Sequence, residues 1–279
     1  MSSKISGWSL KRSFRRLGPH SIVKVCVLIL LAVSLCLTCC KKSDKESPPA
    51  PKEQPKDVNN KSDKTEDAKE EPNASASGRV PLDIKLPKPR FVGTPQNIQG
   101  VGNVEKPLGR PRPSFYAPDG TENVAFGKSV TSSDEAPIIG ELEMLTDGDK
   151  EATDFSYVEL GPLRQHVTID LGGDYNIYAV LFWHYHKQAR VYFDVVVQVA
   201  DDPDFITNVQ TIFNNDIDNS SGLGVGKDMH YVETHEGKLI GVDGAEGVRA
   251  RYVRLYSNGS NADDLNHYIE VEVYGKPAK

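Results

Sequence analysis

His184 and His186 stand at alternate positions, a residue type and a spacing that could bind a metal ion. On a strand they project from one face, and a third imidazole from His230, His235 or His267 would complete a zinc-like site. No carboxylate is tied to them by a recognisable motif, and histidines on strands are commonly polar surface residues. The pattern alone therefore does not establish a metal enzyme.

Other catalytic groups are absent from the sequence or lack a motif. The chain has no Gly-x-Ser-x-Gly segment of the kind that carries a serine nucleophile, and its last cysteine is Cys40. Paired carboxylates for glycoside cleavage stay open, because acidic residues occur throughout the second half of the chain. The sequence favours a protein that is not an enzyme.

A loop over residues 213–228 is rich in Asn, Asp and Gly and matches two known motifs only in part. An EF-hand beginning at Asp216 needs glycine at its sixth position and glutamate at its twelfth, where this chain has Ser221 and Lys227. A P-loop needs its first glycine where Ser221 stands, and here Asp228 follows the lysine. The segment is therefore a long loop that either forms a wall of a binding groove or caps the fold.

The elements that must position these residues are strands. Apolar residues alternate with polar ones over 167–171, 252–256 and 269–273, which predicts strands with one buried face. Longer apolar runs at 177–183 and 192–199 predict central strands covered on both faces. No stretch has the pattern of a capped amphipathic helix, so we expect an all-β fold, an antiparallel jelly-roll β-sandwich.

Charge is divided unevenly along the 279 residues. The formal net charge is -6, yet the first 120 residues carry an excess of about nine positive charges and residues 121–279 an excess of about fifteen negative ones. An acidic module is repelled by phosphate backbones, which argues against nucleic acid as a partner.

Three regions follow from composition. Residues 1–40 combine a basic leader with an apolar run too short to span a bilayer, which predicts a signal peptide. Residues 41–120 are rich in Pro, Lys and Glu and predict a disordered linker whose last forty residues form an irregular lead-in. Residues 121–279 are long enough for one domain with a core of its own, and they hold no cysteine for a disulfide.

Five segments together resemble the discoidin, or coagulation-factor type C, domains and the related carbohydrate-binding module family 32. They are the opening Asn-Val-Ala-Phe-Gly-Lys-Ser-Val-Thr-Ser-Ser at 123–133, Leu-Thr-Asp-Gly-Asp at 145–149, Val-Thr-Ile-Asp-Leu-Gly at 167–172, Ala-Arg-Tyr-Val-Arg-Leu at 250–255 and Glu-Val-Glu-Val-Tyr-Gly at 270–275. They occur in the family's order over about 150 residues. The resemblance implies a galactose-binding-like jelly roll that serves as a binding module.

The same resemblance implies a structural calcium ion between the Asp-Gly-Asp loop and the closing strand. Asp147 and Thr153 would be loop ligands, Asp149 would bind through a carbonyl or carboxylate oxygen, and Glu270 would come from the last strand. The distance from Asp147 to Thr153 is one residue longer than in the family. The alternative is an acidic turn without an ion.

The resemblance also places a ligand site on loops at one end of the sandwich, where a sugar meets an aromatic ring and hydrogen-bonding side chains. Two segments carry such groups and are expected to meet, while Trp183 before them is expected in the core. The candidate ligand-binding residues are His184, Tyr185, His186, Arg190, Asn258, Asn266 and His267.

Residues 37–40, Leu-Thr-Cys-Cys, resemble the lipobox of bacterial lipoproteins, although Cys39 stands where that family prefers a smaller residue. The resemblance implies lipidation of Cys40 and an exported protein held at a membrane of the bacterial cell envelope. A plain secretory signal is the alternative. Two functions stay open: a glycan-binding, lectin-like module, or an assembly module that contacts an envelope protein through the same loops.

Overall fold

The computed structural model describes residues 78–91, 98 and 100–279. The predicted signal peptide, the proposed lipid site at Cys40 and the first part of the linker lie outside these residues. Within the described part of the chain, no helix has the length and apolar character needed to cross a membrane.

The described residues form twelve strands and one short 3₁₀ helix. In chain order the elements are β1 (Arg79–Pro81), β2 (Tyr116–Pro118), β3 (Glu122–Asn123), β4 (Ser129–Ser132), the 3₁₀ helix (Leu142–Thr146), β5 (Val158–Leu160), β6 (Gln165–Trp183), β7 (Val196–Ala200), β8 (Gln210–Asn214), β9 (Lys238–Gly241), β10 (Val248–Ser257), β11 (Asn266–Tyr268) and β12 (Glu270–Pro277).

Strand β6 organises the fold because its two halves have different neighbours. Its first half pairs with β4 and with the end of β10, and its second half pairs with β12 and β9. The halves meet at Gly172, whose φ of 79° is a left-handed conformation that glycine adopts without steric cost. One continuous strand thereby joins both parts of the sandwich.

All pairings between named strands are antiparallel, and the main sheet follows the order β3-β12-β6-β10-β7-β8. The prediction of an all-β antiparallel sandwich is confirmed. One predicted strand boundary is wrong: the run from Tyr192 enters a strand only at Val196, because Asp194 has a φ of 51° that interrupts the extended backbone.

The main core lies where the predicted alternation placed it. Val167, Ile169 and Leu171 are fully buried, as are Val271 and Val273 of the closing strand. Burial of apolar area on this scale is the dominant stabilising contribution to the fold.

A second apolar cluster includes Trp183, which is fully buried and donates its indole N–H to the carbonyl of His235 at 2.9 Å. Leu82, Ile84 and Phe115 pack against this cluster. The described parts of the lead-in therefore cover one face of the sandwich.

The 213–228 loop lines a groove of about 780 Å³ together with β8 and β9. Residues 223–228 supply one side of the groove, and Glu105 of the lead-in contributes at its edge. The sequence left open whether this loop forms a wall of a groove or caps the fold. In the structure it forms one wall of this groove.

Candidate functional site

The 184–190 and 258–268 loops meet, as the sequence predicted. The N–H of Val191 donates to Oδ1 of Asn261 at 2.8 Å, and the N–H of Asn261 donates to the carbonyl of Val191 at 2.9 Å. The guanidinium of Arg190 donates to Oδ2 of Asp263 at 2.9 Å. Backbone and side-chain bonds thus fix the two loops side by side.

Aromatic rings gather at this junction around the half-buried Tyr185. The centroid of the Tyr157 ring lies 4.9 Å away, that of His267 lies 5.9 Å away, and the Arg190 guanidinium carbon lies 5.0 Å from the Tyr185 centroid. Tyr157 is also half-buried and was not among the predicted site residues. A cation over an aromatic face and two tilted rings give this junction both polar and apolar surface.

His267 is 3% exposed and is held in one orientation by Glu159. Its Nε2 lies 3.0 Å from Oε2 of Glu159, and the two residues face each other in the β5–β11 ladder. Burial lowers the pKa of His267 and the nearby Arg190 charge lowers it further, against the opposing effects of Asp263 and Glu159. The sequence does not indicate a role for Glu159, because its partner His267 lies 108 residues away in the chain.

His184 and His186 are fully buried, so neither ring reaches the surface of the loop, contrary to the expectation for ligand-binding residues. The ring of His184 stacks on Tyr192 with centroids 4.2 Å apart, and burial lowers its pKa to about 3. Nε2 of His186 donates to the carbonyl of Lys150 at 2.8 Å. No described histidine belongs to a group of three metal-type ligands, so the zinc-like arrangement does not form among these residues.

The two asparagines bind neighbouring chain segments. Asn266 is fully buried: Oδ1 accepts from the Ser257 hydroxyl and the Gly259 N–H, and Nδ2 donates to the carbonyls of Gly161 and Leu163. With four bonds its side chain joins three segments and has no free group for a ligand.

Asn258 is half-buried and donates to Oδ2 of Asp194 at 2.8 Å. Its side chain is thus directed toward the 213–228 loop, where Ser220 donates to the same oxygen. Of the seven candidate ligand-binding residues, the structure brings Tyr185, Arg190 and His267 together.

The Asp-Gly-Asp loop contacts the closing strand at Glu270. The N–H of Gly148 donates to both carboxyl oxygens of Glu270 at 3.2 Å. Glu270 is fully buried, and burial raises its pKa to about 9, with smaller contributions from Glu272 and Asp147. A buried acid with one backbone donor is chemically suited to a cation, and the surrounding donors are oxygen atoms of the kind that calcium prefers.

The other predicted metal residues are exposed. Oδ1 of Asp147 accepts the N–H of Asp149, Asp149 accepts the Ser156 hydroxyl at 2.7 Å, and the carbonyl of Thr153 accepts the N–H of Ser156. The backbone oxygen of Thr153 thus already has a partner, and among the described residues the carboxylates of Asp147, Asp149 and Glu270 do not form a group of three within 4.8 Å of one another.

In the described residues, one group of three carboxylates comes within 4.8 Å of one another, and it lies elsewhere. It consists of Asp194, Asp216 and Asp218. Asp216 is fully buried, and Ser220 and Ser221 donate backbone N–H groups to it, which lowers its pKa against the opposing effect of burial. The EF-hand interpretation failed on spacing, yet two of its carboxylates do gather with a third from outside the loop.

An exposed ring lies on a loop next to the junction. Phe155 is 73% exposed and has a φ of 68°, which is unusual for a bulky side chain. Asp154 beside it forms an ion pair with Lys187 of the 184–190 loop. The Phe155 loop is therefore tied to the loop that carries Tyr185.

The described residues thus form an antiparallel β-sandwich with a polar and aromatic site where loops meet. No protein-family model matches the chain, and no curated protein matches it in sequence.

Solved structures do match. A family 89 glycoside hydrolase from Clostridium perfringens in complex with 2-acetamido-1,2-dideoxynojirmycin is 22% identical with a TM-score of 0.40, over 56% of this chain and 15% of that one. The CBM32 of AlyQ in complex with 4,5-unsaturated mannuronic acid is 18% identical with a TM-score of 0.38, over 53% and 95%. A Streptococcus pneumoniae fucose binding module is 15% identical with a TM-score of 0.38, over 55% and 97%.

This chain spans about 15% of the length of the glycoside hydrolase that it matches. With identities below 25% and TM-scores below 0.5, these matches leave the ligand of this chain open.

Proposed function

We propose that this protein is a non-catalytic carbohydrate-binding module whose site is the junction of the 184–190 and 258–268 loops. The observation that carries the proposal is the placement of a half-buried Tyr185 beside the Arg190 guanidinium, with the buried His267 ring 5.9 Å from Tyr185. A sugar stacks its C–H face on an aromatic ring and exchanges hydrogen bonds with polar side chains. The junction provides both kinds of contact.

Phe155 extends this proposed site. Its ring is 73% exposed on a loop that the Asp154–Lys187 ion pair ties to the junction. Backbone strain at an exposed aromatic residue is common where a side chain contacts a ligand. We assign Phe155 the role of a second stacking surface for a longer glycan.

Calcium is proposed as a structural ion held by Asp147, Asp149 and Glu270. Its support is the fully buried Glu270 carboxyl group, whose one donor comes from the same loop as the two aspartates. The ion would neutralise a buried acid and fix the Asp-Gly-Asp loop to β12. Thr153 is left out of this ligand set, because its carbonyl oxygen already accepts the N–H of Ser156.

Export and attachment belong to the same proposal. The basic leader, the short apolar run and the cysteine at position 40 support a lipid anchor on the bacterial cell envelope. The anchored chain would hold the sandwich near envelope or environmental glycans. Mass spectrometry of the mature protein should find lipid on Cys40, and an unmodified N-terminus would exclude the anchor.

The binding site is tested with the full chain on immobilised sugars of different charge: fucose, chitosan oligosaccharides and mannuronate oligosaccharides. We expect retention of at least one sugar, a loss of tenfold or more in Arg190→Gln and Tyr185→Ala, and competition by the free sugar. Arg249→Gln is the matched control, because Arg249 is exposed and pairs with Asp174 outside the junction. Equal retention by all variants would place the site elsewhere.

A protein partner is the second candidate function, and the groove between β8 and β9 favours it. In the described residues, β8 pairs only with β7 and β9 only with β6, so each has a second edge without a strand partner next to a groove of about 780 Å³, although Asp228 bonds the backbone of Asn214 at the end of β8. Open edges accept an extended peptide by backbone pairing. Saturable capture of one envelope protein that free sugar does not inhibit would favour this function over glycan binding.

A further inference from the structure

A buried cluster of polar side chains lies beneath the proposed sugar site. It consists of His184, Tyr192, Tyr231 and Glu233, which are all at most 5% exposed. The hydroxyl of Tyr192 and Nε2 of His184 have no hydrogen-bond partner, and the one backbone donor that acts on the Glu233 carboxyl group is the N–H of His184. Buried polar groups are nearly always paired, so this concentration of unpaired atoms calls for a chemical explanation.

Glu233 approaches one nitrogen of this cluster. Nδ1 of His184 lies 3.4 Å from Oε2 of Glu233, and the Tyr231 hydroxyl lies 3.2 Å from the same nitrogen. A neutral imidazole has one nitrogen with a lone pair and one with a proton. Nδ1 can therefore accept a hydrogen bond from a neighbouring acid while the imidazole stays neutral.

No described cation neutralises Glu233. Lys238 pairs with Glu105 and lies over the rings of Phe213 and Tyr231. The charged and titratable groups that act on Glu233 or on its hydroxyl neighbours are His184, His186, Tyr192, Tyr231, Tyr268, Lys238, Arg190, Asp263 and Glu105.

Glu233 also belongs to the chain segment that faces Arg190. The backbone N–H of Glu233 donates to the carbonyl of Arg190 at 2.8 Å. Arg190 in turn binds Asp263 and covers Tyr185. A change in the position of Glu233 is thus transmitted by one backbone bond to the residue that carries the polar contacts of the site.

We propose that Glu233 is a positioning residue whose protonated carboxyl group donates to Nδ1 of His184 and thereby holds the Arg190 segment in its binding geometry. The proposal rests on the proposed sugar site. Burial supports it, because it raises the pKa of Glu233 to about 8, partly offset by His186, by the backbone N–H of His184 and by Lys238. Burial lowers the pKa of His184 to about 3, so the imidazole does not take the proton.

Loss of the Glu233 proton removes this support. The carboxylate would keep only the backbone N–H of His184 as a donor and would have no ion pair with a described Lys or Arg, and a buried charge so poorly compensated must draw in water or leave the core. Since the protonated form is the binding form, affinity is constant below about pH 7 and falls as the pH rises through about 8. If only the protonated form binds, affinity at pH 9 is about tenfold lower than at pH 7.

A first measurement needs no ligand. Carbon NMR of the Glu233 carboxyl group in the full chain should show a midpoint near pH 8, and nitrogen NMR should show His184 neutral with its proton on Nε2. An ionised Glu233 at pH 7, or a His184 proton on Nδ1, would overturn the proposal. Because no sugar is present, this result is independent of whether the glycan-binding function holds.

A second measurement uses the sugar retained in the binding assay above. Glu233→Gln keeps a group that can donate to Nδ1 and cannot ionise, so its affinity should stay constant from pH 7 to 9 while the unsubstituted protein loses about tenfold. Glu246→Gln, at an exposed position, should keep the unsubstituted profile. A Glu233→Gln variant that loses affinity over the same pH range would reject the positioning role.

Discussion

Glu270 combines full burial with hydrogen bonds from one backbone group. The N–H of Gly148 reaches both oxygens at 3.2 Å, which is a weak arrangement for a carboxylate inside a protein. Glu272, its neighbour two positions on, shows the alternative solution, since it pairs with Lys150 and accepts the Tyr274 hydroxyl at 2.8 Å. Glu272 therefore has a charged partner and Glu270 has only one backbone donor, and for this reason the calcium proposal concerns Glu270.

The first prediction concerns this residue. Calcium should raise the melting temperature of the full chain above its value in a chelator, and Glu270→Gln should remove the difference. An ion present at a hundred times its dissociation constant stabilises the folded state by about 2.7 kcal/mol. Differential scanning calorimetry measures the effect.

Glu246→Gln is the control for this experiment, because Glu246 is an exposed acid and should leave the calcium effect intact. Equal melting temperatures of the unsubstituted protein in calcium and in chelator would exclude the ion.

At this scale the sequence predicted residue types better than contacts. Tyr185, Arg190 and His267 were proposed because aromatic and polar residues cluster in two segments, and the structure brings these three together. Tyr157 and Glu159 were missed because their role depends on the β5–β11 register, which joins residues 108 positions apart. His184 was misplaced because its stacking on Tyr192 depends on how the chain turns between them.

At the scale of elements, the 213–228 loop is held by close backbone packing at Gly226. The N–H of Gly226 donates to the carbonyl of Asp216 at 2.6 Å, and the glycine lies directly against Asn214. A Cβ atom at this position would lie 2.3 Å from the Asn214 carbonyl oxygen. The wall of the groove therefore depends on the absence of a side chain.

The second prediction follows from this contact. Gly226→Ala should lower the free energy of unfolding by about 1–3 kcal/mol, the usual cost of overpacking where backbone must shift. Urea denaturation measures the change. Gly173→Ala is the matched control, since a Cβ atom there has nothing within 4 Å. Equal stability of the two variants would show that the loop yields without cost.

Strands were the predictable elements because a two-residue period specifies the buried face directly. Val167, Ile169 and Leu171 followed the pattern, and so did Val271 and Val273. The loop conformations could not be read in this way. The left-handed backbone at Asp194, which delays the start of β7, has no signal in an apolar run.

At the scale of the whole molecule, three buried titratable groups and the half-buried His166 act on stability in two directions. Burial raises the pKa of Glu233 to about 8 and that of Glu270 to about 9. Burial lowers the pKa of His184 to about 3 and, with Arg254 and Arg164, that of His166 to about 4.

The third prediction combines these groups. The two carboxyl groups contribute fully to the free energy of unfolding below pH 4.5, and this contribution is lost as the pH rises to 8 for Glu233 and to 9 for Glu270. The two histidines contribute fully above pH 6.5, and their contribution is lost as the pH falls. Between pH 4.5 and 6.5 the carboxyl groups and the histidines change the free energy of unfolding in opposite directions. From pH 6.5 to 8 in chelator, the free energy of unfolding should fall, with a limiting slope of about 1.4 kcal/mol per pH unit for each carboxyl group.

Urea denaturation at pH 6.5, 7.5 and 8.5 tests this trend. The double variant Glu233→Gln and Glu270→Gln should flatten it, and calcium should reduce the part that comes from Glu270. A stability that rises from pH 6.5 to 8.5 would show that both acids are ionised in the folded state at neutral pH.

The shared strand β6 also sets the order in which the sandwich can form. Its second half pairs with β12. Its first half pairs with the end of β10, at separations from 82 residues (Tyr252 with Asp170) to 92 residues (Ser257 with Gln165). Long-range pairing of this kind makes folding slow, because the loops must close before the contacts form. A ribosome that has released only the first 260 residues has therefore produced a chain in which β6 still lacks its partner β12.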